Sequence, residues 1–392
     1  MSALTAAQAM ADGIHRVLPD AECALVPMAD GGEGAAITIA DALGGTMVTV
    51  PSHDALGRPI TGEFGWVPGK KLAVVETASA SGLEAIAPGA RDAGVASSFG
   101  TGEIIKAALD KGAKHLILGL GGSATNDAGA GLFQALGVKF LDARGAEVPP
   151  GGLALQNLNR IDLSGLDPRL ADCTIEAACD VDNPLVGPEG ASAVFGPQKG
   201  ADANLVAQLD AALSVWARAA QQATGRSVAD LPGAGAAGGI GAALAAFTTA
   251  KLRTGVEIVI DAVGLRDQVR GADWVFTGEG GMDSQTKHGK TPWGVASVAA
   301  EFGKPVIAFA GKVGEGAGEL LRPVGSLSAA APGSSSAESG SSSARTTGYG
   351  QPGFVAIVPI SQGVTDLATA LRQGPANLAN AAEMTTRLFS FR

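Results

Sequence analysis

Short unbroken apolar runs alternate along this sequence with longer segments whose apolar positions recur every three or four residues. The first pattern predicts buried strands and the second amphipathic helices. Residues 2–17 place Leu4, Ala7, Met10, Ile14 and Val17 on one stripe, a helix that Pro19 stops. Strands are predicted at 21–28, 47–50, 62–67, 72–76, 115–118, 175–179, 258–260, 274–276, 306–310 and 354–358. Helices are predicted up to Leu43, from 97 to 113 with Thr101 as a cap, at 132–136, at 204–224, from Gly241 to Leu252 and at 364–389. Strands and helices that follow each other in this way indicate an α/β fold.

Glycines and polar side chains follow several of the predicted strands. The run 115–118 leads into G-L-G-G-S-A-T-N-D-A-G-A-G at 119–131, and then into a helix. Glycines such as Gly121 and Gly122 let the backbone approach a ligand, and free amides at a helix start suit an anion. Ser123, Thr125 and Asn126 add neutral hydrogen-bonding groups, and Asp127 adds a carboxylate. The same pattern equally suits a tight turn whose glycines serve packing alone. Asp30, Gly31, Gly32 and Glu33 follow the strand predicted at 21–28. They fit a ligand crevice at strand ends, or simply a capped helix start. Asp180, Asp182 and Asn183 fit either a divalent cation or an Asx turn before Pro184. A fourth loop, T-G-E-G-G-M-D at 277–283, carries Gly278, Glu279 and Asp283. Four loops with one strand-to-loop grammar point beyond packing, to metal-assisted phosphoryl transfer.

Composition narrows the classes. With 392 residues the chain has room for two or three domains. Hydrophobic residues are 46% and charged residues 17%, as in globular proteins. The net charge of −10 argues against a nucleic-acid backbone as the main partner. Cys23, Cys173 and Cys179 lack metal-type spacing and suit a reducing compartment. No apolar run is long enough to span a bilayer, and the N-terminal stretch lacks a basic region followed by an apolar core. A cytoplasmic protein without membrane contact is therefore expected. Residues 326–353, rich in Ser and Gly, are predicted to form a flexible surface loop.

Gly289-Lys290-Thr291 resembles the end of a P-loop, but Ser284 stands where its first glycine is required. A wider match exists. M-A-D-G-G-E-G (28–34), the 119–131 loop, C-D-V-D-N-P-L (179–185), F-G-P-Q-K-G-A (195–201), G-A-G-A-A-G-G-I-G (233–241), T-G-E-G-G-M-D-S-Q-T (277–286) and G-K-T-P-W-G-V-A (289–296) together resemble the bacterial-type glycerate kinase family. The motifs occur in order over nearly the whole chain. The resemblance implies phosphorylation of D-glycerate by ATP with Mg2+, by a monomer or homodimer. It also implies two α/β domains with largely parallel sheets, one inserted into the other. On that scheme residues 1–50 and 290–392 form the outer domain and 51–289 the inserted one. Residue chemistry and motif position then assign Asp180 or Asp283 to binding Mg2+ or orienting the substrate hydroxyl. Asp30, Glu33 and Asp127 serve substrate or metal, the 121–123 backbone cradles an anion, and Lys199 and Lys290 offset its charge.

The sequence departs from the family pattern twice. Family members open with a strand and a D-S-F-K-type loop before the helix that begins here, and the 326–353 stretch is an insertion. The first departure leaves two expectations: an in-frame segment upstream of Met1, or a relative that binds ligand without turnover. A kinase of another small hydroxy acid or polyol is the remaining alternative, because a fold does not select the substrate.

Overall fold

The computed structural model describes residues 1–29, 31–32, 34–287, 289–322, 350–361, 363 and 366–389. Asp30, Glu33 and the Ser/Gly-rich stretch up to residue 349 lie outside them. In chain order, α1 (Ala3–His15) and α2 (Ala35–Ala42) precede β1 (Thr46–His53), β2 (Pro59–Val67) and β3 (Leu72–Glu76). Then come α3 (Ala78–Ser81), α4 (Phe99–Asp110), β4 (His115–Gly119), α5 (Ala130–Ala135), β5 (Lys139–Leu141), β6 (Arg160–Asp162) and β7 (Thr174–Ala178). They are followed by α6 (Ala191–Phe195), α7 (Ala203–Thr224), α8 (Ala236–Phe247), β8 (Lys251–Arg253), α9 (Gly255–Val263) and α10 (Leu265–Gly271). The last elements are β9 (Val275–Met282), α11 (Thr291–Glu301), β10 (Val306–Val313), β11 (Ala356–Pro359) and α12 (Leu367–Phe389).

Contacts divide the chain into two compact units, Met28–Ala262 and a discontinuous one of Met1–Pro27 with Val263–Arg392. The continuous unit carries a six-stranded sheet in the order β1-β2-β3-β4-β7-β8. Strands β3, β4, β7 and β8 run parallel, while β1 and β2 add an antiparallel edge. Leu72 to Val75 of β3 are all buried, a continuous apolar run that suits a parallel strand covered on both faces. Phe247 packs edge-to-face against Phe133, Phe140 and Trp216 in the main core. Long α7 starts where Asp202 accepts the Leu205 amide at 2.8 Å and stops at left-handed Gly225 (φ 73°).

The discontinuous unit has a parallel three-stranded sheet, β11-β10-β9. Ile307 and Phe309 of β10 meet Ala9 of α1 and Leu378 and Ala382 of α12 in its core. Helices α1 and α12 lie so close that a Cβ on Gly13 would overlap the Ala379 carbonyl oxygen. Trp274 stacks on Phe389 with ring centroids 4.0 Å apart and stays 39% exposed. Among the described residues no helix is long and apolar enough to cross a membrane.

Several expectations change. Residues 21–28 form no ladder among the described residues, and Pro27 has no N–H to give one. Residues 258–260 lie within α9, because an apolar run that short fits a buried helix turn as well as a strand. The helix expected to reach Leu252 ends at Phe247, and Lys251–Arg253 pairs as β8. Thr101 lies inside α4 and does not cap it; its hydroxyl bonds that of Ser81 at 2.9 Å. Most of the 277–283 loop is strand, since 277–282 belong to β9 and pair with β10. Gly278 is required there by contact, because a Cβ would press on the Phe309 carbonyl.

Candidate active site

In the continuous unit the loop after β4 has an outer tip and a buried heel. Gly121 and Gly122 are exposed, whereas Ser123 to Ala130 are buried. Three main-chain bonds strap the loop to the chain after β3: Thr77 N–H to Gly119 O (2.9 Å), Leu83 N–H to Gly122 O (2.8 Å) and Ala124 N–H to Ser81 O (2.8 Å). Gly122 takes φ +70°, which glycine adopts without strain. Among the described residues nothing accepts from the Gly121 or Gly122 amide. A second glycine-rich turn shapes the heel from behind. Ala237, Gly238 and Gly239 are left-handed at the start of α8, and Gly238 O accepts the Ala128 amide at 2.9 Å. A Cβ on Gly238 would overlap the Thr125 carbonyl oxygen.

Asp127 is fully buried inside this loop. Its carboxylate accepts the Ser98 amide (2.8 Å), the Ser98 hydroxyl (2.9 Å), and the amides of Gly129 (3.1 Å) and Gly131 (3.2 Å). The amides at the start of α5 are therefore already neutralised from within, and the exposed donors are those of the tip. Burial pushes the Asp127 carboxyl up from its usual range, and the donors around it pull the other way. Because the three amides can only donate, they favour the carboxylate form. Lys199 is only 2% exposed, and its ammonium donates to Ser123 Oγ (3.1 Å) and Thr125 O (2.7 Å). Burial lowers its pKa to about 8, and the Asp127 charge opposes that fall. Asn126 donates to the Ser192 hydroxyl at 2.9 Å, while its Oδ1 and the Thr125 hydroxyl are buried without a partner among the described residues.

Asp180 lies just past the end of β7 and is exposed, and its Oδ1 accepts the Gly255 amide at 2.9 Å. Gly31 (φ +85°) packs against Gly255 and Ala178, and Gly32 borders Gly121. Gly31, Gly32, Gly121, Asp180 and Gly255 thus gather at the carboxyl ends of parallel strands, where ligands of α/β sheets bind. Sequence reasoning missed two residues here. Glu76, the last residue of β3, accepts the Ala36 amide at 2.8 Å and starts α2. Ser98 anchors Asp127 across 29 positions of sequence. Position at the end of an apolar run was a usable signal for Glu76; Ser98 had none.

The discontinuous unit brings together Glu279, Asp283 and Lys290. The Lys290 ammonium is 3.8 Å from Glu279 Oε1 and 4.0 Å from Asp283 Oδ1. Buried Thr286 donates its hydroxyl to Glu279 (2.8 Å) and accepts the Asp283 amide (3.2 Å). Asp283 Oδ1 also accepts the Gln285 amide at 2.9 Å. Lys290 is the N-cap of α11, so its cation stands at the helix end that disfavours positive charge. The two carboxylates offset it, and an anionic ligand would do so further. A cavity of about 330 Å³ opens beside them, lined by Gly281, Asp283, Gln285, Lys312 and Glu315.

Among the described residues no three His, Cys, Asp or Glu side chains converge on a metal position. The donor set still suits Mg2+, which takes hard oxygens and commonly only one or two carboxylates beside phosphate and water.

Comparison with known proteins agrees across the chain. Residues 1–337 match the family described as "Glycerate kinase family". The chain is 49% identical over 318 residues to the Glycerate 2-kinase of Escherichia coli (strain K12), covering 81% of this chain and 84% of that protein. It is 49% identical over 313 residues to the Glycerate kinase of Bacillus subtilis (strain 168), covering 80% and 82%. The Glycerate kinase of Haemophilus influenzae is 42% identical over 392 residues, 100% of this chain and 96% of that one. A crystal structure provisionally named glycerate kinase 2, from Salmonella typhimurium LT2, superposes with a TM-score of 0.86 at 42% identity, covering 100% of this chain and 95% of that one.

Proposed function

This chain belongs to the glycerate kinase family, and from that premise we propose that it transfers the γ-phosphate of ATP to a hydroxyl of D-glycerate. The observation that carries this reading is the similarity at 42% identity across all 392 residues, which leaves no motif outside the match. We assign 2-phosphoglycerate as the product, on the likeness to the protein named Glycerate 2-kinase.

Phosphoryl transfer demands placement and charge compensation more than covalent work by the protein. The exposed Gly121 and Gly122 amides and the Ser123 hydroxyl hold an anionic group. Asp180, exposed at the end of β7, orients the attacking hydroxyl and takes its proton. Glu279, Asp283 and Lys290 meet the nucleotide phosphates, with Asp283 and Glu279 offering carboxylate oxygens to Mg2+. Bound there, Mg2+ would offset phosphate charge. Lys199 and Asp127, both enclosed, shape the loop and do not touch ligand. Gly278 serves the β9–β10 pairing.

The test is ATP consumption with D-glycerate and Mg2+, with enolase as the coupling enzyme, since enolase accepts 2-phosphoglycerate directly. Signal through enolase alone supports the assigned product. Signal that appears only after phosphoglycerate mutase is added reassigns it to the 3-phosphate. Turnover of other hydroxy acids in preference to D-glycerate would shift the substrate, and silence with the whole panel would favour a binding protein.

A further inference from the structure

Lys199 ends the short turn 197–199 and is buried, and the following Gly200 (φ +93°) packs on the Arg91 carbonyl. Among the described residues its ammonium reaches only the inner side of the 119–131 loop, at Ser123 Oγ and Thr125 O. An ammonium has protons to give and no lone pair, so in both contacts the nitrogen donates. Ser123 Oγ is therefore an acceptor toward Lys199, and its own proton must lie in another direction. Among the described residues no group accepts that proton, although Ser123 is only 6% exposed. The adjoining Gly121 and Gly122 amides likewise have no acceptor among the described residues. Three neighbouring donors without a recipient define a receptor for a negatively charged group.

We infer that Lys199 is a positioning residue that sets the polarity of Ser123: by donating to the serine oxygen it makes the hydroxyl an obligatory donor, which joins the Gly121 and Gly122 amides in binding a carboxylate or phosphate. The identity of that anion rests on the kinase reading; the polarity does not. Asp127, close enough to raise the Lys199 pKa, helps keep the ammonium charged within its buried site. A receptor made only of donors gives a neutral substrate end nothing to match. Where the anion is the substrate carboxylate, glycerol, which lacks it, is expected to be turned over poorly for that reason.

A double-mutant cycle with Lys199→Met and Ser123→Ala tests this in kinetics. Each single variant is expected to raise one KM about tenfold, as loss of one hydrogen bond to a charged group would. A rise in KM for D-glycerate identifies the carboxylate as the anion, and a rise in KM for ATP identifies a phosphate. The double variant should be no worse than Ser123→Ala alone. Effects that multiply, or a Lys199→Met protein that melts lower with both KM values intact, would overturn the inference. Neutron diffraction from deuterated crystals of the unaltered chain at neutral pD gives an answer independent of activity and of how the variants fold. A deuteron on Ser123 Oγ pointing away from Lys199 Nζ is expected; one bonded to Oγ and directed at Nζ overturns the assignment. A chain with no turnover but the expected deuteron would refute the kinase reading and leave the polarity standing.

Discussion

Replacing Asp127 by Asn changes one atom of the loop and has a cost that can be worked out. Oδ2 accepts the amides of Ser98 and Gly131, and Oδ1 accepts the amide of Gly129, with the Ser98 hydroxyl beside both. An Asn NH2 placed at Oδ2 would face two amide donors, and placed at Oδ1 it would face one. The better orientation still orphans the Gly129 amide in a buried site, at about 2 kcal/mol. The two remaining amide bonds lose their charge assistance, roughly 1 kcal/mol each. The expected destabilisation is thus about 4 kcal/mol. Two compact units need not unfold together, so one global melting curve would blur the effect. Urea titration read by hydrogen exchange at the β4 amides follows the unit that holds Asp127. A loss under about 1 kcal/mol would refute the reasoning, because an amide can imitate this side chain cheaply only if the carboxyl already carries a proton.

Lys199 gives a pH dependence of stability. Its folded pKa of about 8 lies below the 10.5 of the free group, so between those values the unfolded chain binds a proton that the native one has released. Stability therefore rises with pH across that window, by about 3 kcal/mol from this group, and the rise should be missing when Lys199→Met and the unaltered chain are compared by denaturant titration at both ends. Gly238→Ala forces a methyl group onto the Thr125 carbonyl at a left-handed position and should cost more than about 3 kcal/mol by thermal melting; a change below about 1 kcal/mol would mean the loop is not braced there. Asp180→Asn and Asp283→Asn should each lower kcat at least about 100-fold, and near-normal turnover in either would remove that carboxylate from the chemistry.

Much of the fold was legible because local signals agreed with the final packing. The L-A-V-V-E run became β3, and Asp202 and Gly225 bracket a helix of the expected length. Where signals conflicted, long-range pairing decided. The glycines of 278–281 speak against a strand, yet β10 pairs with that segment and leaves no space for a Cβ at Gly278. At the site, the sequence marked the loops but not which side of them each residue occupies. Lys199 and Asp127 look like surface charges until the chain brings each beside partners 76 and 29 positions away. A buried charge is tolerable only with such partners, and no spacing rule reports them.

The four tryptophans fall two to each unit: Trp66 and Trp216 in the continuous one, Trp274 and Trp293 in the other. Trp216 is wholly enclosed, and its indole N–H meets no acceptor among the described residues, whereas Trp274 is partly open to solvent over Phe389. Emission from the first pair should therefore be blue, and emission from Trp274 shifted to the red. The molecule carries its own two-colour label, with which unfolding or ligand response of either unit could be followed separately without attaching a dye.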